Sequence, residues 1–242
     1  MSKNLFYNNT NYKELPELPL DIVELYCNNN PLLKKLPELT SDLKKIFCSN
    51  NALLYKLPEL PSNLQQLCII NNSLLKRLPE LPSSLKILYC DNNLLLEKLP
   101  ELPSSLLSLH CNDNPLVTKL PNLPSNLEFL QCNNNPLLKK LPELSSNLKH
   151  FYCYNNKLLE RLPELPYNLK ILYCNNNPLL TTLPRSIIYC KNIIYDYNNN
   201  NNNNYKKYND LKYLNSLPYL VNKIIEDYYY KPIMNYYNKI YL

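Results

Sequence analysis

The chain has 242 residues, 45% of them hydrophobic, with no glycine, no tryptophan, 21 prolines and nine cysteines. Its 26 basic and 20 acidic residues leave a net charge of +6, too mild for the concentrated basic footprint of a nucleic-acid-binding protein. No apolar run approaches the roughly 18 residues that a membrane-spanning helix needs, and a chain without glycine cannot build a glycine-rich phosphate loop.

Residues 1–14 contain no apolar segment of signal-peptide type, which predicts a cytoplasmic protein. Phe6 and Asn9 fall in phase with the segment that follows and predict a partial repeat. From there leucine returns every 21 residues, at Leu15, Leu36, Leu57, Leu78, Leu99, Leu120, Leu141, Leu162 and Leu183, each time followed by proline. Periodic bias of this kind argues for order, and a period of this size predicts a solenoid over 15–197, one small unit stacked on copies of itself. Each unit offers about six inward apolar side chains, each worth roughly 1.5–3 kcal/mol when buried. A lone unit cannot offset an ordering entropy of about 1–2 kcal/mol per residue, so stability needs several in a stack.

Within a unit, apolar and polar residues first alternate, the pattern of a half-buried strand. Leu25 and Cys27 are expected to point inward, and Glu24, Tyr26 and Asn28 outward. Stacked units then give a parallel sheet with strands about 4.8 Å apart. Leu32, Leu36 and Leu39 are expected to close the core on the way back. That return cannot be an α-helix, because Pro37, and Pro58 with Pro61 in the next unit, remove donors and hold the preceding residues extended. It is predicted to be extended or polyproline-like.

The second unit reads Leu43, Ile46, Cys48, Asn51, Leu53, and the seventh Leu148, Phe151, Cys153, Asn156, Leu158. This LxxLxCxxNxL pattern resembles the leucine-rich repeat consensus, with Cys in the third apolar slot. The resemblance covers eight complete units over about residues 15–182, followed by a degraded ninth with Cys190, Ile193, Tyr195 and Asn198 in phase. It implies an α/β leucine-rich repeat solenoid, or horseshoe, with a parallel concave sheet and a thin extended convex side. The LPELP return is similar to repeats of secreted bacterial effectors, one residue shorter, with the extra residue here in the Leu-Leu pair. Cysteine in place of valine, the Asn-rich bias and the Tyr-rich tail look like leucine-rich repeat proteins of mimivirus-type giant viruses.

The resemblance implies that Asn30, Asn51 and their equivalents up to Asn177 are buried and bond to the backbone of their own and the next rung. The residue before each is usually Asn as well, and is read as a turn residue standing in for glycine. Seven cysteines, Cys27, Cys48, Cys90, Cys111, Cys132, Cys153 and Cys174, share one inward slot. A straight row of thiols gives neither a tetrahedral metal site nor good disulfide geometry, and no CxxC pair is present. They are read as core residues in a reducing compartment, and no metal or cofactor is expected. Cys68 is displaced by one position, with Ile69 in the inward slot. It is therefore the candidate reactive thiol. A basic stripe (Lys35, Lys56, Arg77 and equivalents) and an acidic stripe (Glu38, Glu59, Glu80 and equivalents) run along the return and nearly cancel. They are read as a solvated convex face.

The outward strand positions vary most. The candidate partner-binding residues are Tyr26, Phe47, Tyr89, His110, Phe129, Tyr152, Tyr154 and Tyr173. Aromatic rings on a rigid sheet are typical binding anchors, and they are equally a stacked ladder that stabilises the sheet; both readings stand. His110 and His150 fall two rungs apart, about 10 Å, too far to share a metal. No nucleophile–base set or paired carboxylates are identifiable, so no catalytic residue is assigned.

After the solenoid come an asparagine loop, 198–204, and a Tyr-rich segment, 205–242. Ser216 to Tyr230 carries a helix start signal and an apolar face, and predicts a helical cap for the open end, or else a docking helix. The bacterial effectors of this class often add a Cys-dependent ubiquitin-ligase domain, for which the residues after Leu183 leave no room. The expected function is a non-enzymatic protein-interaction scaffold with a host protein as partner, acting in the host cytoplasm if the source is viral. No membrane or nucleic-acid role is expected, and a small-molecule ligand is disfavoured. The alternative is a substrate-recognition adaptor for a ubiquitin ligase supplied in trans, against which the lack of F-box-like helices before Leu15 counts.

Overall fold

The computed structural model describes residues 3–190 and 194–196 of the chain; the asparagine loop and the expected helical cap lie outside them. Among the described residues ten short strands follow one another in a single parallel sheet, in chain order. They are β1 (Lys3–Phe6), β2 (Ile22–Tyr26), β3 (Lys45–Phe47), β4 (Gln66–Cys68), β5 (Ile87–Tyr89), β6 (Ser108–His110), β7 (Phe129–Gln131), β8 (His150–Tyr152), β9 (Ile171–Tyr173) and β10 (Ile194–Asp196). From β2 to β9 every strand pairs with the next at an offset of 21, so that Leu25, Ile46, Leu67 and Leu88 stand in line. All four are fully buried, and one continuous core runs from Leu15 to Cys190. The parallel β-solenoid expected from the repeat is the fold.

Two turns make each rung. At one end the Asn30 carbonyl accepts the Leu33 N–H at 3.0 Å; at the other the Pro61 carbonyl accepts the Leu64 N–H at 3.0 Å. Proline has no N–H but keeps its acceptor, so it closes the second turn at no cost in hydrogen bonds. The first turn needs a left-handed residue. Asn29, Asn50, Asn71 and their equivalents supply it with φ between 53° and 60°, and Asp113 does so on one rung. Without glycine, these short polar side chains are the next most tolerant of that region.

The turn also decides which leucine of each pair enters the core. Leu32 is 38% exposed, whereas Leu33 is fully buried, and Leu53 and Leu54 divide in the same way. The expectation that Leu32 closes the core is thus corrected to Leu33: the Asn30–Leu33 turn rotates the chain by one residue. The return is extended, and Lys35 and Lys56 join in a second, sparse line of parallel bridges. Among the described residues the only helix is a five-residue 3-10 turn, Arg185–Tyr189.

The inward asparagines tie the rungs together. The Asn51 Oδ1 accepts the Asn30 backbone N–H at 2.8 Å, and its Nδ2 donates to the Cys27 carbonyl at 3.0 Å. The same two bonds recur up to Asn177. They run to the preceding rung rather than the next. Own-rung bonds occur too, as from Asn93 Nδ2 to the Cys90 carbonyl.

Both ends depart from the 21-residue phase. In β1, Phe6 pairs with Tyr26, an offset of 20. Asn9 is accordingly a left-handed turn residue in line with Asn29, and Thr10 stands in line with Asn30. The partial repeat is present, with Phe6 and Asn9 each one slot away from where the period put them. At the other end Tyr195 pairs with Leu172, an offset of 23, in the rung that holds the 3-10 turn. The ninth unit is therefore two residues out of the expected phase.

Candidate interaction surface

On the solvent side of the sheet the strand residues form columns, one member per rung. The central column holds Tyr26, Phe47, Cys68, Tyr89, His110, Gln131, Tyr152 and Tyr173. Parallel pairing at a fixed offset brings its rings face to face. Phe6 stacks on Tyr26 at 4.7 Å between centroids and Tyr26 on Phe47 at 4.8 Å, with interplanar angles of 7° and 1°. Further along, His110 stacks on Phe129 at 4.7 Å, and Tyr152 on Tyr173 at 5.4 Å. Each such pair contributes about 0.5–1.5 kcal/mol beyond the area it buries.

Stacking divides the candidate anchors. Tyr26, His110, Phe129 and Tyr152 are buried by their neighbours, Tyr152 to 3% exposure. Phe47, Tyr89, Tyr154 and Tyr173 are half-buried and keep surface open to solvent. The ladder and the anchor readings therefore apply to different residues of one face.

Cys68 takes the outward slot and Ile69 the inward one, as the register shift requires. Even so, Cys68 is only 6% exposed and lies 3.4 Å from the Ser49 hydroxyl. Burial pushes its thiol up to about 12. A reactive cysteine needs thiolate character and access, and Cys68 has neither. Its assignment as a reactive thiol is corrected, because being on the outward side of so narrow a rung is not the same as being exposed. Burial likewise raises the thiols of Cys27, Cys90, Cys111 and Cys153.

His110 is pulled down to about 3 by burial, against which its hydrogen bond with the Gln131 side chain works only partly. It is neutral near pH 7, and its Nε2 is buried with no partner among the described residues. His150 is also lowered, by burial and then by Lys170 and Lys149. The Phe129 ring contacts both imidazoles, at 4.7 and 5.6 Å, and so stands between them. Among the described residues no three His, Cys, Asp or Glu side chains converge on a metal position.

A second hydrogen-bonded column, absent from the sequence reading, flanks the rings. The Asn28 Oδ1 accepts the Ser49 N–H at 2.8 Å, and the Ser49 Oγ accepts the Ile70 N–H at 3.1 Å. Ile70 has no acceptor to pass on. The line restarts at Asp91, whose Oδ1 accepts the Asn112 N–H at 2.6 Å, and continues through Asn112 and Asn133 to Tyr154. Burial raises the Asp91 carboxyl to about 7, helped by the charge of Asp113 and opposed by the Asn112 N–H. The signal for this column was the recurrence of Asn, Ser and Asp one place beyond the inward cysteine.

The geometry provides a rigid face of rings and amides, with the Cys68 thiol protonated and His110 neutral. The family described as Leucine Rich Repeat matches residues 168–190. No curated protein sequence matches the chain. Among solved structures, it is similar to YopM, a leucine-rich effector protein from Yersinia pestis, at 36% identity and a TM-score of 0.58, over 75% of this chain and 57% of that one. The chain thus spans a little over half the length of YopM. The leucine-rich repeat domain of the type III effector XopL is similar in fold alone, at 20% identity and a TM-score of 0.56, over 76% of this chain and 72% of that one. With an unbroken repeat, an asparagine-bonded parallel stack and these likenesses, the chain is a leucine-rich repeat protein similar to bacterial type III effectors.

Proposed function

We propose that the chain is a non-enzymatic protein-interaction scaffold that presents the solvent face of its sheet to a host protein in the cytoplasm of an infected cell. The observation that carries this reading is the set of half-buried rings, Phe47, Tyr89, Tyr154 and Tyr173, on a sheet whose every rung is tied to the last. Rings held by stacked neighbours lose little freedom on binding, which is what makes aromatic anchors effective. The giant-virus source is what the resemblance to mimivirus-type leucine-rich repeat proteins implies.

A photo-crosslinking residue placed at Tyr89 or Tyr173 tests the reading in host lysate, with Lys98 on the return as control. Capture of one host protein from the sheet positions but not from Lys98 is the expected result. Capture from Lys98 alone would move the site off the sheet. The tyrosine to mutate is Tyr173 rather than Tyr152, since replacing the buried Tyr152 would disturb the ladder itself.

A further inference from the structure

The return side of the solenoid carries two parallel columns of opposite charge. Every 21st residue from Lys35 to Arg161 is basic, seven in succession, and all seven are exposed. Three residues on, every 21st residue from Glu17 to Glu164 is acidic apart from Asn122, and these too are exposed. Three extended residues set the columns about 10 Å apart, and both share the rung spacing of about 4.8 Å. Among the described residues Lys35 pairs at 3.2 Å with Glu14, at the head of its own column, and no ion pair joins one column to the other. Like charges are thus aligned rung upon rung, closer than the screening length of about 8 Å at physiological salt.

We propose that this side docks a second copy of the chain, with the basic column of each copy on the acidic column of the other. The pitch selects the partner. An extended acidic peptide presents side chains on one face about every 6.8 Å and falls out of step within a few rungs. Another stack of parallel strands repeats at the same 4.8 Å or so and stays in step throughout, and this chain carries both signs. The symmetry follows as well. A twofold axis along the columns, midway between them, brings basic onto acidic in an isologous contact. An axis across the columns would bring like onto like. The two copies therefore lie parallel, rung facing rung, with their first strands at the same end. Single exposed ion pairs contribute little, but a network repeated along the stack adds up.

Sedimentation velocity on the full chain tests this. A dimer is expected at about 0.1 M salt and a monomer at about 1 M, where screening shortens to about 3 Å. The variants K56E/K98E/K140E and E59K/E101K/E143K should each be monomeric alone and form a one-to-one dimer when mixed. If either fails to fold, the neutral K56Q/K98Q/K140Q should weaken self-association roughly tenfold or more. A monomeric parent at low salt, charge-reversed variants that dimerise as the parent does, or a mixture that stays monomeric would each overturn the proposal.

Discussion

The side-chain oxygen of Asn114 accepts the backbone N–H of Asn93 at 2.9 Å, one rung away, at a place where neither residue has any exposed surface. The Asn114 Nδ2 donates to the Cys90 carbonyl at 3.1 Å. Asn114→Ala would orphan the Asn93 N–H, while the Cys90 carbonyl keeps its bond from Asn93 Nδ2; an unmet buried group costs about 1–3 kcal/mol. Urea unfolding should show a loss of about 1–3 kcal/mol. A loss below about 1 kcal/mol would mean that the Asn93 N–H finds another partner.

The left-handed asparagines make a separable prediction. Asn71 has φ 59° and its Nδ2 donates to Asn50 Oδ1 at 2.8 Å, on the exposed edge of the turn. Asn71→Ala should destabilise by about 1–2 kcal/mol, since a Cβ is unwelcome in that region and Ala lacks the local bonds. Asn71→Gly should cost much less, for glycine adopts this backbone freely. Equal losses in the two variants would show that the side-chain bond, and not the backbone, is what matters there.

Asp91 gives the stability a pH dependence whose sign is fixed. Its carboxyl, raised from 3.8 to about 7 in the fold, binds a proton more tightly folded than unfolded. It therefore stabilises fully below about pH 4 and loses that contribution as pH rises through 7. Asp91→Asn keeps an oxygen for the Asn112 N–H and cannot ionise. Relative to the parent it should gain about 1–3 kcal/mol at pH 8, shrinking towards nothing near pH 4. A difference that stays constant over this range would show that Asp91 titrates normally.

The thiols should be silent in the folded chain. Cys68 lies under its neighbours with its thiol at about 12, and the inward row is fully covered. A colourless aromatic disulfide reagent should label none of Cys27 to Cys174 within minutes under native conditions, and all of them in denaturant. Rapid native labelling at Cys68 would restore it as an accessible nucleophile.

The architecture was legible because its cause is periodic. Leucine, proline and asparagine at fixed slots announced the stack, the extended return and the buried amides. What periodicity could not say is which of two identical neighbours turns inward. Leu32 and Leu33 differ only by the geometry of the Asn30–Leu33 turn, and it chose Leu33. Nor could alternation say how deep an outward residue sits. Tyr152 and Cys68 both occupy outward slots, and both are covered by rings and side chains of adjacent rungs less than 6 Å away. The sheet face was found from sequence, whereas its accessible members were not.

The asparagine bonds between rungs also constrain how such a chain can change in length. A residue inserted or lost within an interior rung would pull one asparagine away from both of its backbone partners and turn the following strand over. Among the described strands the offsets of 20 and 23 occur only at the first and the last pairing. Inside the stack, length changes by whole 21-residue units are therefore the ones that keep every such bond in place. Its reach towards any partner grows or shrinks in steps of one strand, leaving the remaining rungs untouched.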